Sequence, residues 1–178
     1  MRFLGPRARA CGASRPAYDR PMSEIYGMPG HLIRRLQQIS ASVFAERMRA
    51  LGLDLTSPQY AALSILAERP GIDQATLAGL IAHDRPTIGG VVERLEAKGL
   101  AERRVNPSDR RARLLRLTSE GEALLARLRP VVRALQAEIL PGLTGEERAE
   151  FVRLASKVAE AGNARARAPR AAGDGAAA

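Results

Sequence analysis

The chain of 178 residues has no tryptophan, three tyrosines, three phenylalanines, two histidines and one cysteine. With so few aromatic residues, its core has to be Leu, Ile, Val and Ala packing, as in helical bundles. The lone Cys11 excludes an internal disulfide and a thiolate metal centre, and it suits a reducing cytoplasm. No apolar run approaches the roughly 18 residues that a membrane span needs. His31 and His83 lie far apart, and no Ser/His/Asp, metal-ligand or phosphate-loop spacing is present. An enzyme, a metal site and a cofactor are therefore not expected, and the length fits one domain or two small lobes.

Charge is present but unevenly spread. Of the formal net charge of +9, residues 1–21 contribute +4 and residues 163–178 contribute +2, which leaves +3 for residues 22–162. Between Ala101 and Leu117, six arginines (Arg103, Arg104, Arg110, Arg111, Arg113, Arg116) stand against Glu102 and Asp109, a surplus of four. The overall basic balance is thus a poor argument for a nucleic-acid partner. The local concentration of arginine is a good one.

That concentration follows two helix signals. Ile72 before Asp73, with Leu77 four residues beyond the aspartate, reads as an N-cap with a hydrophobic staple. Leu77, Leu80 and Ile81 then share a face. Asp84 is a second N-cap candidate, positioned to accept from the Thr87 amide, and Pro86 falls in the first turn, where a missing N–H costs little. Ile88, Val91, Val92 and Leu95 form the buried face of this second helix, which Gly99 closes with Leu100 packing back. Asn106-Pro-Ser-Asp-Arg110 is turn chemistry, and Arg113-Leu-Leu-Arg-Leu117 reads as a returning strand.

Two short helices and a basic hairpin, with almost no spare residues, are the order of a winged helix-turn-helix. Such a fold reads double-stranded DNA. The N-terminal turn of its second helix touches base edges, so Arg85, Pro86, Thr87, Gly89 and Gly90 are DNA-binding candidates, with Arg94 further along. Arg85 can address guanine bidentately, and the Thr87 methyl can meet a thymine methyl. The glycine pair costs a helix about 1 kcal/mol each against alanine. Either it lets backbone approach DNA, or it is a weak spot tolerated by packing. An arginine at the hairpin tip can enter the minor groove, the alternative being a solvated charged hairpin.

Along the rest of the chain, residues 1–30 lack periodicity and are expected to be disordered. A helix from His31 to Ala50 carries Leu32, Leu36, Ile39, Val43, Phe44 and Met48 at helical spacing. Thr56-Ser-Pro-Gln59 is a capping box opening a helix with Tyr60, Leu63, Ile65 and Leu66. Thr118 caps a long helix with a broad stripe from Leu124 to Ile139, in which Pro130 is expected to make a kink. Thr144-Gly-Glu-Glu147 starts a last helix with Phe151, Leu154, Ala155 and Val158 on one face. The expected organisation is a disordered extension 1–30, a dimerisation helix 31–55, a DNA-binding lobe 56–117, dimerisation helices 118–162 and a disordered tail 163–178. The terminal helices carry more apolar face than one lobe of this size covers, and pairing of two chains is the economical solution. The fold class is mainly α with a small β-hairpin wing.

Leu95-Glu-Ala-Lys-Gly-Leu-Ala-Glu-Arg-Arg104, Asn106-Pro-Ser-Asp-Arg-Arg-Ala-Arg113 and Leu115-Arg-Leu-Thr-Ser-Glu-Gly121 resemble the MarR family of bacterial transcriptional regulators. The resemblance spans roughly Leu32 to Ala161 and is sharpest at Asp109-Arg110-Arg111. It implies that Arg110 is the minor-groove arginine. It also implies that Asp109 and Arg111 hold the wing base, with phosphate contact the rival role for Arg111. It implies a homodimer built by the first, fifth and sixth helices, binding an inverted repeat, a repressor more than an activator. For residues 1–30 three readings stand: a start at Met22 or Met28, a DNA-contacting arm, or a transit peptide.

Many members of that family release DNA on binding an anionic aromatic or related effector. His31-Leu-Ile-Arg-Arg-Leu-Gln-Gln-Ile39 and Pro70-Gly-Ile-Asp-Gln-Ala-Thr-Leu-Ala78 look similar to the branch controlling aromatic-acid catabolism. Some members of that branch sense hydroxycinnamoyl-CoA or benzoate-derived compounds. The ligand-binding candidates are therefore His31, Arg34, Arg35, Gln38 and Tyr60, with Arg34 and Arg35 facing a carboxylate or acyl-CoA phosphates. Solvated arginines or dimer salt bridges are the alternative. Two other functions compete: an architectural DNA binder without effector, and a winged helix used to dock protein.

Overall fold

A computed structural model describes residues 24–81, 85–106 and 109–167; at 85–86, 106, 109–112 and 163–167 it describes the backbone alone. The chain divides into two units at Ser40/Ala41, partway along the first long helix. In the first unit a 3-10 turn, Glu24–Gly27, precedes α1, Pro29–Ala50. Residues 24–30, within the stretch expected to be disordered, thus carry structure, and α1 opens on Pro29, a residue suited to a first helical turn. The Tyr26 and His31 rings meet edge to face at 5.3 Å. Ile25, Tyr26, Met28, Leu32 and Ile33 are exposed.

The second unit holds the remainder of α1, then α2 (Ser57–Glu68), β1 (Ile72–Asp73), α3 (Gln74–Leu80), α4 (Arg85–Ala97), β2 (Ala101–Asn106), β3 (Asp109–Leu117), α5 (Ser119–Ile139) and α6 (Gly145–Arg167). The capping box at α2 is present: the Gln59 N–H donates to Thr56 Oγ1, and the Thr56 N–H donates to Gln59 Oε1. Gln59 is buried, with Ala62, Leu63 and Leu66 on the same helix. These join Phe44 and Met48 of α1, Leu77, the α4 stripe, Leu115, and Leu125, Leu128 and Leu135 of α5 in one largely aliphatic core.

The sheet has three strands in the order β1-β3-β2, all antiparallel. β1 is an addition to the expected hairpin. Two residues are too few to show a period of two, and they pair with Leu115 and Leu114 across the chain. α5 continues as helix through Pro130, and its buried residues follow the expected stripe. At α6 the Thr144 box forms as expected. The helix runs on to Arg167, past the expected end at 162, through an Ala/Arg run that has high helix propensity.

Candidate nucleic-acid interface

Asp73 begins the interface by serving two elements. Its backbone pairs with Leu114 of β3, and its carboxylate accepts the Thr76 N–H at 2.7 Å as the N-cap of α3. Leu77 and Ala78 are buried, and Leu80 and Ile81 half-buried. Residues 82–84 lie outside the described residues, and with them the expected cap at Asp84. The side chains of Arg85 and Pro86 also lie outside, although the α4 backbone starts at Arg85 as expected.

α4 buries Ile88, Val91, Val92 and Leu95, none more than 6% exposed. Its other face carries Thr87 and Arg94, exposed, with Gly89 and Gly90 half-buried. Thr87, Gly90 and Arg94 follow at intervals of three and four, so they share one face. Neither glycine of the pair is among those at positive φ. Among the described residues, a β-carbon at Gly90 would meet nothing within 4 Å, and one at Gly89 only the Gln74 amide nitrogen at 3.5 Å. Against the described residues alanine has room at both, so packing on them does not account for two residues that weaken a helix by about 1 kcal/mol each.

At its end, Gly99 adopts φ +66. Its N–H donates to Glu96 O at 2.8 Å and that of Leu100 to Leu95 O at 2.9 Å. These paired bonds stop the helix and turn the chain directly into β2. Ion pairs then lock the parts together. Arg103 of β2 reaches Glu96 of α4 at 2.7 Å and Gln74 of α3 at 3.3 Å, so hairpin base and both helices are one piece. Lys98 clasps the Asp54 carboxylate at 2.8 Å and also donates to the Asp54 carbonyl. The hydrogen bond from Lys98, and its charge, hold the Asp54 carboxyl below its ordinary value of 3.8.

The hairpin pairs regularly from Ala101↔Leu117 to Val105↔Arg113 and then jumps to Asn106↔Asp109. The register break therefore falls on the backbone of residues 110–112, where the chain expands towards its tip. A break of this kind bends a strand and re-aims its side chains. The side chains of Asp109, Arg110 and Arg111 lie outside the described ones, and their expected roles with them.

Comparison with known proteins decides the family. The MarR family model matches residues 55–112, the segment from the α2 cap to the wing. The transcriptional regulator HosA of Escherichia coli O111:H- is 38% identical over 108 residues, covering 61% of this chain and 80% of HosA. The chain belongs to the MarR family. Among solved structures, the transcriptional repressor CouR bound to a 23-mer DNA duplex is similar at TM-score 0.70 and 29% identity, covering 79% of this chain and 99% of CouR. Bordetella bronchiseptica BpsR, whose DNA binding is regulated by 6-hydroxynicotinic acid, is similar at TM-score 0.69 and 30% identity, covering 75% of this chain and 94% of BpsR.

This MarR-family protein is therefore a DNA-binding transcriptional regulator and not an enzyme. Among the described residues no helix is long and apolar enough to cross a membrane. Among the described residues α4 carries Thr87, Gly90 and Arg94 on one face, with Gly89 off it. Arg94 stands apart from the first turn, in the last one, where its charge also acts on Asp54. Sequence reasoning missed the bracing role of Arg103, because its partners Glu96 and Gln74 carry no motif.

Of the ligand-binding candidates, His31, Arg34, Arg35 and Gln38 lie on α1 in the first unit. Tyr60 lies on α2 in the second, its ring 5.9 Å from that of Phe44. Tyr60 lines an open cleft of ≈ 490 Å³ between α2 and α5, with Ser64, Glu68, Arg129, Val132, Arg133 and Gln136. Arg129 and Arg133 were not singled out from sequence. Their signal was a basic pair four residues apart, beside the leucine stripe.

Proposed function

We propose that this regulator is a homodimeric repressor, paired through α1, α5 and α6, which binds an inverted repeat in the cytoplasm and is released by an anionic aromatic effector. The observation that carries the DNA half is the α4 surface, whose glycine pair the free fold does not require. Arg85, Pro86, Thr87, Gly89 and Gly90 approach the major groove, Arg94 lies at a phosphate, Arg110 enters the minor groove, and Arg111 holds the wing base, with phosphate contact its rival role. A two-fold dimer separates its recognition helices by about 34–36 Å, one turn of DNA.

The effector half is supported by the cleft under Tyr60, where two arginines give a carboxylate its charge partners. BpsR, regulated by an aromatic acid, is a precedent of similar fold. His31, Arg34, Arg35 and Gln38 remain candidate contacts on α1. An acyl-CoA thioester is the second effector class, with its phosphates on Arg34 and Arg35. Release is a population shift: the ligand binds better to a dimer whose recognition helices no longer fit successive grooves.

The test is fluorescence anisotropy on palindromic duplexes at fixed salt, followed by titration with 6-hydroxynicotinate, substituted benzoates and a hydroxycinnamoyl-CoA. Saturable, salt-sensitive binding at one palindrome and its loss on adding one ligand class support the reading. Equal affinity for all sequences points to an architectural DNA binder and sinks the repressor. With Arg34→Ala/Arg35→Ala, release by the anion is expected to be blunted while operator binding stays unchanged. A normal response would remove those two from the site.

A further inference from the structure

The exit of α4 and the first turn of α5 meet through backbone. The Thr118 N–H donates to Leu100 O at 3.2 Å, and the Thr118 hydroxyl donates to Gly99 O at 2.6 Å. The same hydroxyl oxygen accepts the Gly121 N–H at 3.1 Å, the N-cap of α5. Gly121 is buried against this junction. A β-carbon there would overlap the Leu100 carbonyl oxygen and stand 3.0 Å from its carbon. The contrast with Gly89 and Gly90 is sharp, since alanine fits at both of those.

The consequence is mechanical. α5 also packs on α2, but through side chains, which can repack; the joint at Leu100 has no side chain to yield. Alanine at 121 therefore has to push the two backbones apart by on the order of 1 Å. α5 has 21 residues, so it is about 30 Å long, and a tilt of about 6° at one end moves the other by about 3 Å. That is close to one base-pair step of about 3.4 Å.

We propose that Gly121, together with Thr118, is a positioning residue for operator reading. It sets the direction in which α5 leaves the end of α4, and so the separation of the two recognition helices in the dimer. The inference rests on the dimeric DNA-binding reading above. Gly121 touches no DNA in it; the residue acts by where it puts α4.

The experiment measures anisotropy of wild type, Gly121→Ala, Thr118→Val and Thr118→Ser. The duplexes are a single half-site and palindromes with the wild-type spacer, one base pair shorter and one longer. For Gly121→Ala, affinity on the wild-type spacing is expected to fall about tenfold, as for one misplaced base contact, with half-site affinity kept and preference moved to an altered spacer. Thr118→Val, which loses both hydroxyl bonds, moves the same way by less, and Thr118→Ser restores the wild-type profile. An unchanged spacer profile, or an equal loss on every duplex including the half-site, overturns the proposal. Should circular dichroism show Gly121→Ala unfolded, Thr118→Val decides by the same criterion. A wild-type chain that binds no palindrome overturns the DNA-binding reading and this one with it, and it is seen before any variant is compared.

Discussion

Helices α4 and α6 carry the same kind of apolar stripe and meet opposite fates. In α4 the stripe is covered by α2, α3 and β2, and Ile88, Val92 and Leu95 are 0% exposed. In α6, Val152, Leu154 and Val158 stand 57%, 47% and 65% exposed. Amphipathic spacing therefore states that a face is to be covered and is silent on what covers it. α4 is finished within its own unit, whereas α6 leaves Leu154 and Val158 of its stripe, and Val152 beside it, open at the surface. A second copy of the chain is the proposed cover.

The sharpest way to break this comparison is at the two stripes. Leu95→Ala is expected to cost about 2–5 kcal/mol in urea unfolding, because the site is closed on all sides. Val152→Glu/Val158→Glu should leave the far-UV spectrum intact and shift sedimentation from dimer to monomer. If the α6 pair lowered the urea midpoint as much as Leu95→Ala does, the two helices would not differ in the way described. Next in size, Arg85→Ala and Arg110→Ala should each lose ~1–3 kcal/mol of operator binding with the unfolding midpoint unchanged. A shifted midpoint would place those residues in the scaffold.

Gly90→Ala sharpens the contrast from the other side. It is expected to raise stability by up to ~1 kcal/mol and to weaken operator binding, two opposite signs from one methyl group. Binding left intact would make the glycine a tolerated weak spot. The smallest effect is at Asp54, whose carboxyl is held by Lys98 below 3.8. A depressed folded value contributes stability that is complete above the unfolded value and lost only as pH falls through the folded one. Asp54→Asn should therefore unfold slightly more easily than wild type at neutral pH. In urea titrations that gap should close only below pH 3.8.

Much of the fold was legible because its signals are local. The caps at Thr56, Asp73, Thr118 and Thr144 each form, with a side-chain oxygen three residues from the amide it serves. The stop at Gly99 is equally local. The braces were not legible: β1 is too short to have a period, and Arg103 finds Glu96 and Gln74 only after the helices pack. The glycine pair was ambiguous in sequence; among the described residues a β-carbon meets nothing at Gly90 and only an ordinary contact with Gln74 at Gly89, which weakens the packing explanation.

The amino-acid order alone determined where helices start and stop, which faces are apolar and where arginine gathers, since each depends on neighbours within a turn or a hairpin. Only the tertiary structure decided that Gly121 is needed for packing, which charges brace the lobe, and that the end of α4 meets α5 through bare backbone. Those outcomes depend on distances between residues far apart in the chain, and no local pattern encodes them.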